Sequence, residues 1–177
     1  MTVLNEWVVC VGLAAAVSIG RPAAGEVVGA GQNGFEIRLT AHVAAAPDKA
    51  YAALLQPARW WSSEHTFSGS AANLTLDARA GGCWCETLSD GGSVEHMRVV
   101  YVSPGKVLRL RGALGPLQGL GVEGAMTWSV KAGASGSEIS ISYAAGGYVK
   151  DGFESLSKGV DHVLGEQLER LRKLIDG

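Results

Sequence analysis

The stretch that most constrains this chain is its last, Phe153 to Ile175, where apolar residues recur as Phe153, Leu156, Val160, Leu164, Leu168, Leu171 and Ile175. Steps of three and four put these side chains on one stripe of an α-helix. The other side carries Glu166, Glu169, Arg170, Arg172 and Lys173, with Glu166/Arg170 and Glu169/Lys173 at the i,i+4 spacing that favours ion pairs, so it reads as the solvated side. Gly146-Gly147 ends the preceding strand, and Asp151 with Glu154 three residues on reads as a capping box that opens the helix. An apolar stripe of this length needs a partner, and everything upstream that can cover it reads as strand. The expectation is one long helix laid across one curved antiparallel sheet, with the function lying between them.

Phe35 to Val43 alternates apolar residues with Glu36, Arg38, Thr40 and His42, the pattern of a strand with one dry and one wet face. Pro47 suits a first helical turn, Asp48 to Leu55 continues as a short Ala-rich helix, and Pro57 stops it. A second short turn, Ala58 to Ser62, carries Trp60 and Trp61, which as neighbours cannot face the same way. One belongs to the core and the other lines an opening or a loop. Six further segments read as strands: Asn73 to Asp77, Cys83 to Leu88, Val94 to Val102, Val107 to Arg111, Glu123 to Lys131 and Glu138 to Ala144. Gly81-Gly82, Asp90-Gly91-Gly92, Pro104-Gly105 and Gly133 to Gly136 are turn signals at hairpin spacing, so the sheet reads as sequential and antiparallel. Leu114 to Gly121 is too rich in glycine for a strand and reads as a mobile loop at the mouth of any cavity.

Alternation selects the face that meets the helix. Met126, Trp128 and Val130, Ile139, Ile141 and Tyr143, Leu108 and Leu110, and Trp84 with Leu88 point inward, which also turns Glu86 inward and leaves Cys83 and Cys85 on the convex face. Val94 to Val102 has two readings: either Met97, Val99 and Tyr101 face in, or His96 and Arg98 do. The C-x-C pair also has two. It is either a pair of small side chains packed on one sheet face or, where a bulge draws the Cα atoms together, a disulfide.

Length and composition narrow the function. A chain of 177 residues is one domain able to bury a core without metal or disulfides. A net charge of -2 with mixed signs offers no basic stripe to nucleic acid. Val8 to Ile19 is a continuous small-apolar run followed by GRPAAG, which resembles the core and cleavage zone of a secretory signal, although Met1 to Trp7 carries Glu6 and no Lys or Arg. At about 12 residues it falls short of the roughly 20 that span a bilayer, so no integral span is expected. Residues 1–25 therefore read as a signal peptide, cleaved after Gly20 or Gly25, 26–34 as a linker and 35–177 as the folded domain. The expected location is periplasmic or extracellular, or cytoplasmic if the stretch is not a signal. Cys10 lies inside it as apolar filler.

The order of elements and several motifs together resemble a known superfamily. The helix pair APDKAYAALLQPARWW, the GGCW turn at Gly81 to Trp84, the hairpin VSPGKVLRL at Val102 to Leu110 and the Gly-Gly before the last helix are similar to those of SRPBCC proteins, and RWWSSEHTFSG with GGCWCE and SVEHM looks like an exported subgroup. The resemblance covers Phe35 to Ile175 and includes START-like proteins, polyketide cyclases and chaperone-activator homologues. It implies a helix-grip fold of the α+β class, with six to seven antiparallel strands wrapped around the C-terminal helix over a deep, mostly apolar cavity. One fold of this kind hosts carriers, cyclases, hydrolases and chaperone cofactors, so the site residues carry the argument about function.

The residues expected to hold a hydrophobic or amphipathic small molecule are Trp60, Trp61, Trp84, Met126, Trp128 and Tyr143, with Glu86, His96 and Arg98 orienting it. Glu86 beside His96 or His65 makes a candidate acid/base pair for a cofactor-free cyclase- or hydrolase-like enzyme. Alternatively, Glu86 pairs with Arg98 or Arg109 at the rim and has no catalytic role. A protein cofactor like the chaperone activators is a third reading, compatible only with a cytosolic chain. His42 and His162 fall on polar faces, and the four histidines have neither H-x-H nor H-x-x-x-H spacing, so no metal site is expected. No nucleophile elbow, phosphate loop or dinucleotide fingerprint is present, and no cofactor is expected.

Overall fold

A computed structural model describes residues 24–177, so the signal-like stretch and Cys10 lie outside the described residues. In chain order the elements are β1 (Ala24–Ala30), β2 (Gly34–Val43), α1 (Pro47–Leu54), α2 (Pro57–Trp60), β3 (Leu74–Leu76), β4 (Cys83–Thr87), β5 (Ser93–Ser103), β6 (Val107–Arg111), β7 (Gly121–Gly133), β8 (Gly136–Tyr148) and α3 (Glu154–Asp176). Short 3-10 turns form at Ser63–His65, Ala71–Asn73 and Gly115–Gly119. The strands make one sheet in the order β1-β2-β8-β7-β6-β5-β4-β3, with every neighbour antiparallel. After β2 the chain crosses to the far edge by way of α1 and α2, then returns as a meander until β8 closes on β2. This is the helix-grip arrangement, with one strand more than the sequence suggests.

The extra strand is β1, where a linker was expected. AGEVVGA has glycine near both ends and no alternation, so nothing local marks it as a strand. Its pairing with β2, Ala24 opposite Thr40 through Ala30 opposite Phe35, creates it. At Gly25 the strand passes so close to α3 that a Cβ would lie 2.7 Å from the Asp161 carboxylate. A side chain there would push strand and helix apart.

The inward faces are those alternation selects. Ile37 and Leu39 of β2, Leu108 and Leu110 of β6, Met126 and Trp128 of β7, and Ile139, Ile141 and Tyr143 of β8 are all buried beneath α3 and its flanking segments. From the helix, Phe153, Leu164, Leu168 and Leu171 are fully buried, each apolar side chain contributing about 1.5–3 kcal/mol relative to exposure. α3 itself packs on β1, β2, α1 and α2, toward one end of the sheet. The other end is left to loops.

Two features of the helix differ from expectation. Its N-cap is Phe153 and no side chain caps it, so the Asp151/Glu154 capping box does not form. Gly152 turns left-handed (φ 75°) just before it, and the Phe153 N–H donates to the Gly31 carbonyl at 3.0 Å, which anchors the entry to the β1–β2 turn. The polar side is also less solvated than its composition suggests. Glu169 does pair with Lys173 at 3.7 Å, but Glu166 turns to His65 (3.3 Å), and the Arg170 Nε donates to the Trp60 carbonyl at 2.9 Å. Gln167, fully buried, accepts the Ser62 N–H at 2.7 Å. Three residues within little more than one helical turn, Glu166, Gln167 and Arg170, thus pin the segment from Trp60 to His65, and that segment forms one wall of the site.

Candidate functional site

Because α3 covers only part of the sheet, a cavity of about 460 Å³ remains between its N-terminal half and the loops opposite. Leu156, Gly159, Val160, Val163 and Leu164 of α3 form one wall. Trp61, His65 and Phe67 form a second, and Leu114, Pro116 and Leu117 a third, with His96 of β5 between them. The glycine-rich stretch is therefore at the mouth, as its composition suggested, but as a 3-10 turn with Leu117 buried rather than a structureless loop. Tyr143 holds it there. Its hydroxyl donates to the Gly112 carbonyl at 3.3 Å and accepts the Leu114 N–H at 3.2 Å.

The polar centre of the site is Glu86 with His96. Glu86 is 1% exposed, and its carboxylate accepts the Phe67 N–H at 3.1 Å, the Ser68 N–H, and a hydrogen bond with the His96 Nε2 at 2.9 Å. Burial pushes the Glu86 carboxyl up, yet the donors from Ser68, Phe67 and His96 outweigh it and hold the group below the ordinary carboxylate value. Burial likewise pushes the His96 imidazolium down, more than Glu86 pulls it up. A carboxylate that only accepts requires the His96 Nε2 to be the donor. The uncharged ring then keeps its lone pair on Nδ1.

His96 reaches this position through irregularities that the sequence does not announce. Trp84 pairs with Met97 and Cys85 with Glu95, so His96 is an extra residue in β5 and turns inward together with Met97. A second irregularity, between Val99 and Tyr101, turns Val100 and Tyr101 outward. Neither of the two simple alternations is therefore right: His96, Met97 and Val99 are buried, while Arg98 and Tyr101 are not. Arg98 lies on the outer face, bound to Glu95 and to the Gly81 carbonyl at 3.2 Å. Arg109 stacks on Tyr101 (5.5 Å) and donates to Thr127. Neither arginine meets Glu86, so an ion pair at the rim is not what Glu86 makes.

The aromatic candidates divide. Trp61 lines the cavity, edge-on to Trp84 at 4.9 Å. Trp60, Trp84 and Trp128 pack together beneath it, where only about 10 Å³ of free space remains, too little for anything larger than a water. Met126 and Tyr143 are fully buried and do not line the cavity. The expectation that one tryptophan of the pair belongs to the core and one to an opening holds. His65 lines the cavity but pairs with Glu166 rather than Glu86. Phe67, Leu114, Leu117, Gly159 and Val163 were not among the expected ligand contacts. Leu156 and Val160 were visible as members of the helical stripe, but only the position of the helix puts them against a cavity instead of the sheet. On the outer face, Cys83 and Cys85 form a disulfide with Cα atoms 5.4 Å apart, so the disulfide reading of the C-x-C pair is the correct one, although the extra residue opposite them lies in β5 rather than β4.

Comparison with known proteins agrees with this geometry. The chain is similar to protein MLL2253 from Mesorhizobium loti (17% identity, 80% of this chain and 96% of that one, TM-score 0.55). It is also similar to CalU16 from Micromonospora echinospora (14%, 90% and 87%, TM-score 0.55) and to EF2215, a conserved protein of unknown function from Enterococcus faecalis (12%, 87% and 77%, TM-score 0.57). At these identities the likeness concerns the fold. No curated protein matches the chain. The family described as "Polyketide cyclase / dehydrase and lipid transport" matches residues 34–176, from the start of β2 to the end of α3, and with the helix grip around a cavity this places the chain in that family, within the SRPBCC superfamily.

Proposed function

We propose that this protein binds a hydrophobic or amphipathic small molecule in the cavity between α3 and the sheet. The observation that carries the reading is the cavity itself. Its 460 Å³ falls within the roughly 300–1,000 Å³ of small-molecule sites, and leucine, valine and aromatic walls surround a few polar groups, chiefly His96 and His65. The export signal expected from Val8 to Ile19 makes a periplasmic or secreted carrier the accompanying proposal. Native mass spectrometry of protein purified from its own host, with organic extraction of what co-purifies, tests both. A bound apolar molecule supports the carrier, and a chain shortened by about 20 to 25 residues supports export. An empty full-length chain refutes both.

The Glu86–His96 pair supports a second reading, a cofactor-free cyclase- or hydrolase-like enzyme in which the His96 Nδ1 takes a proton from a bound substrate while Glu86 orients the ring and stabilises its charge. Glu86→Gln separates the two. A carrier keeps its ligand, whereas an enzyme loses turnover.

A further inference from the structure

Resting on the cavity reading above, we propose that the site selects apolar molecules ending in a hydroxyl group and rejects those ending in a carboxylate, with the His96 Nδ1 receiving the hydroxyl proton and Glu86 as its positioning residue. Three observations on the cavity wall point this way. First, Glu86 occupies the His96 Nε2, and among the described residues no hydrogen bond reaches Nδ1, so the ring offers the cavity an acceptor. Second, His65 repeats the arrangement, with its Nε2 against Glu166 and its ring on the cavity. Third, the lining holds Glu64 but neither lysine nor arginine, so an anionic end meets no counter-charge. The N-terminus of α3 opens beside Ser155 and by itself favours an anion, but Glu154 in its first turn already supplies the negative charge. A hydroxyl donates to Nδ1 at little desolvation. A carboxylate must lose its water and meets the His96 acceptor and Glu64, with the Ser155 hydroxyl left to donate, since the Thr66 hydroxyl gives its proton to the Ser63 carbonyl at 2.7 Å.

The test is calorimetric titration of the purified chain at pH 7.5 with 2-naphthol, 2-naphthoate and 2-methylnaphthalene, three probes of one shape. 2-Naphthol should bind about fivefold tighter than 2-methylnaphthalene, the worth of one neutral hydrogen bond, and 2-naphthoate at least about tenfold weaker. His96→Leu should remove the advantage of 2-naphthol while leaving 2-methylnaphthalene bound. Long-range proton–nitrogen NMR of the unmodified protein reads the ring directly and should find His96 neutral with its proton on Nε2. If 2-methylnaphthalene binds and 2-naphthoate binds as well as 2-naphthol, or if the ring carries its proton on Nδ1, the hydroxyl preference is wrong and the cavity reading stands. If none of the three binds, the cavity reading itself fails and the preference goes with it.

Discussion

Replacing Glu86 by leucine sets two large effects against each other, and the structure decides between them. Burying a carboxylate is unfavourable, and an apolar residue of similar size in its place is often neutral or stabilising. Here, however, the carboxylate is the acceptor for three donors. The His96 Nε2–H, enclosed by the Phe67 and Trp84 rings at 5.9 and 6.1 Å, has nowhere else to turn, and orphaning it costs about 1–3 kcal/mol. The Phe67 and Ser68 N–H groups lie in a partly exposed segment and can recover water, so each loses only about 0.5–1.5 kcal/mol. Leucine packing returns about 2 kcal/mol at most. The losses together reach about 2–6 kcal/mol, so even after the full return from leucine packing the expected net effect of Glu86→Leu is a destabilisation centred on about 2 kcal/mol, or a melting temperature lower by about 4–8 °C for a chain of this size. The pH profile supplies a second readout. Glu86 and His96 are both held below their ordinary values of 4.5 and 6.5, so the unfolded chain binds more protons than the folded one in the windows just below those values. Stability from the pair is therefore full above pH 6.5 and is lost as the pH falls, first through the His96 window and then, below 4.5, through that of Glu86. Thermal melts followed by circular dichroism at pH 7.5, 5.5 and 3.5 check both parts. A Glu86→Leu variant as stable as the parent at pH 7.5, or one that still shows the parent's loss below 4.5, refutes the ionised three-donor carboxylate.

Gly159 lines the cavity from a helical turn, and a Cβ built on it meets nothing within 4 Å, so Gly159→Leu fills the site while gaining up to about 1 kcal/mol of helix propensity. Ligand binding should fall with the melting temperature unchanged or raised, and a destabilised variant would mean the space is not there. Truncating Leu168, a fully buried residue of α3, to alanine should cost about 2–5 kcal/mol, read from urea midpoints. The non-reduced protein should leave Cys83 and Cys85 unlabelled by iodoacetamide, and reduction should add two labels, counted by intact mass. Ala24 and Gly25 belong to β1, and Gly25 lies against Asp161, so the proposed export predicts cleavage after Gly20 rather than after Gly25, and N-terminal sequencing of secreted protein distinguishes the two.

The elements legible in the sequence are those whose signal is a period. The 3.6-residue stripe of α3, the strict alternation of β2, β6, β7 and β8, and the proline starts of α1 and α2 each follow from side-chain geometry within one short segment. From these alone came one long helix laid across a curved antiparallel sheet, the inward Glu86, the outward cysteines and the division of labour between Trp60 and Trp61, whereas the helix-grip fold came from the resemblance. The motif resemblance to SRPBCC proteins supplied the superfamily and the expectation of a cavity.

What the sequence could not assign depends on register and on space between elements. β1 is a strand only because β2 offers it an edge, and its glycines carry no alternation to read. The inward turn of His96 depends on an extra residue opposite Trp84 and Cys85, which no count within β5 alone detects, because a bulge shifts the parity of everything beyond it. Trp60, Trp84, Met126 and Trp128 were expected to touch a ligand because they are large, apolar and inward-facing. The same properties let them close on one another, and the free volume gathered instead where α3 no longer covers the sheet. Periodicity states which way a side chain points. Only the packed structure decides whether it meets another side chain or an opening, since that depends on the distance between two elements far apart in the chain.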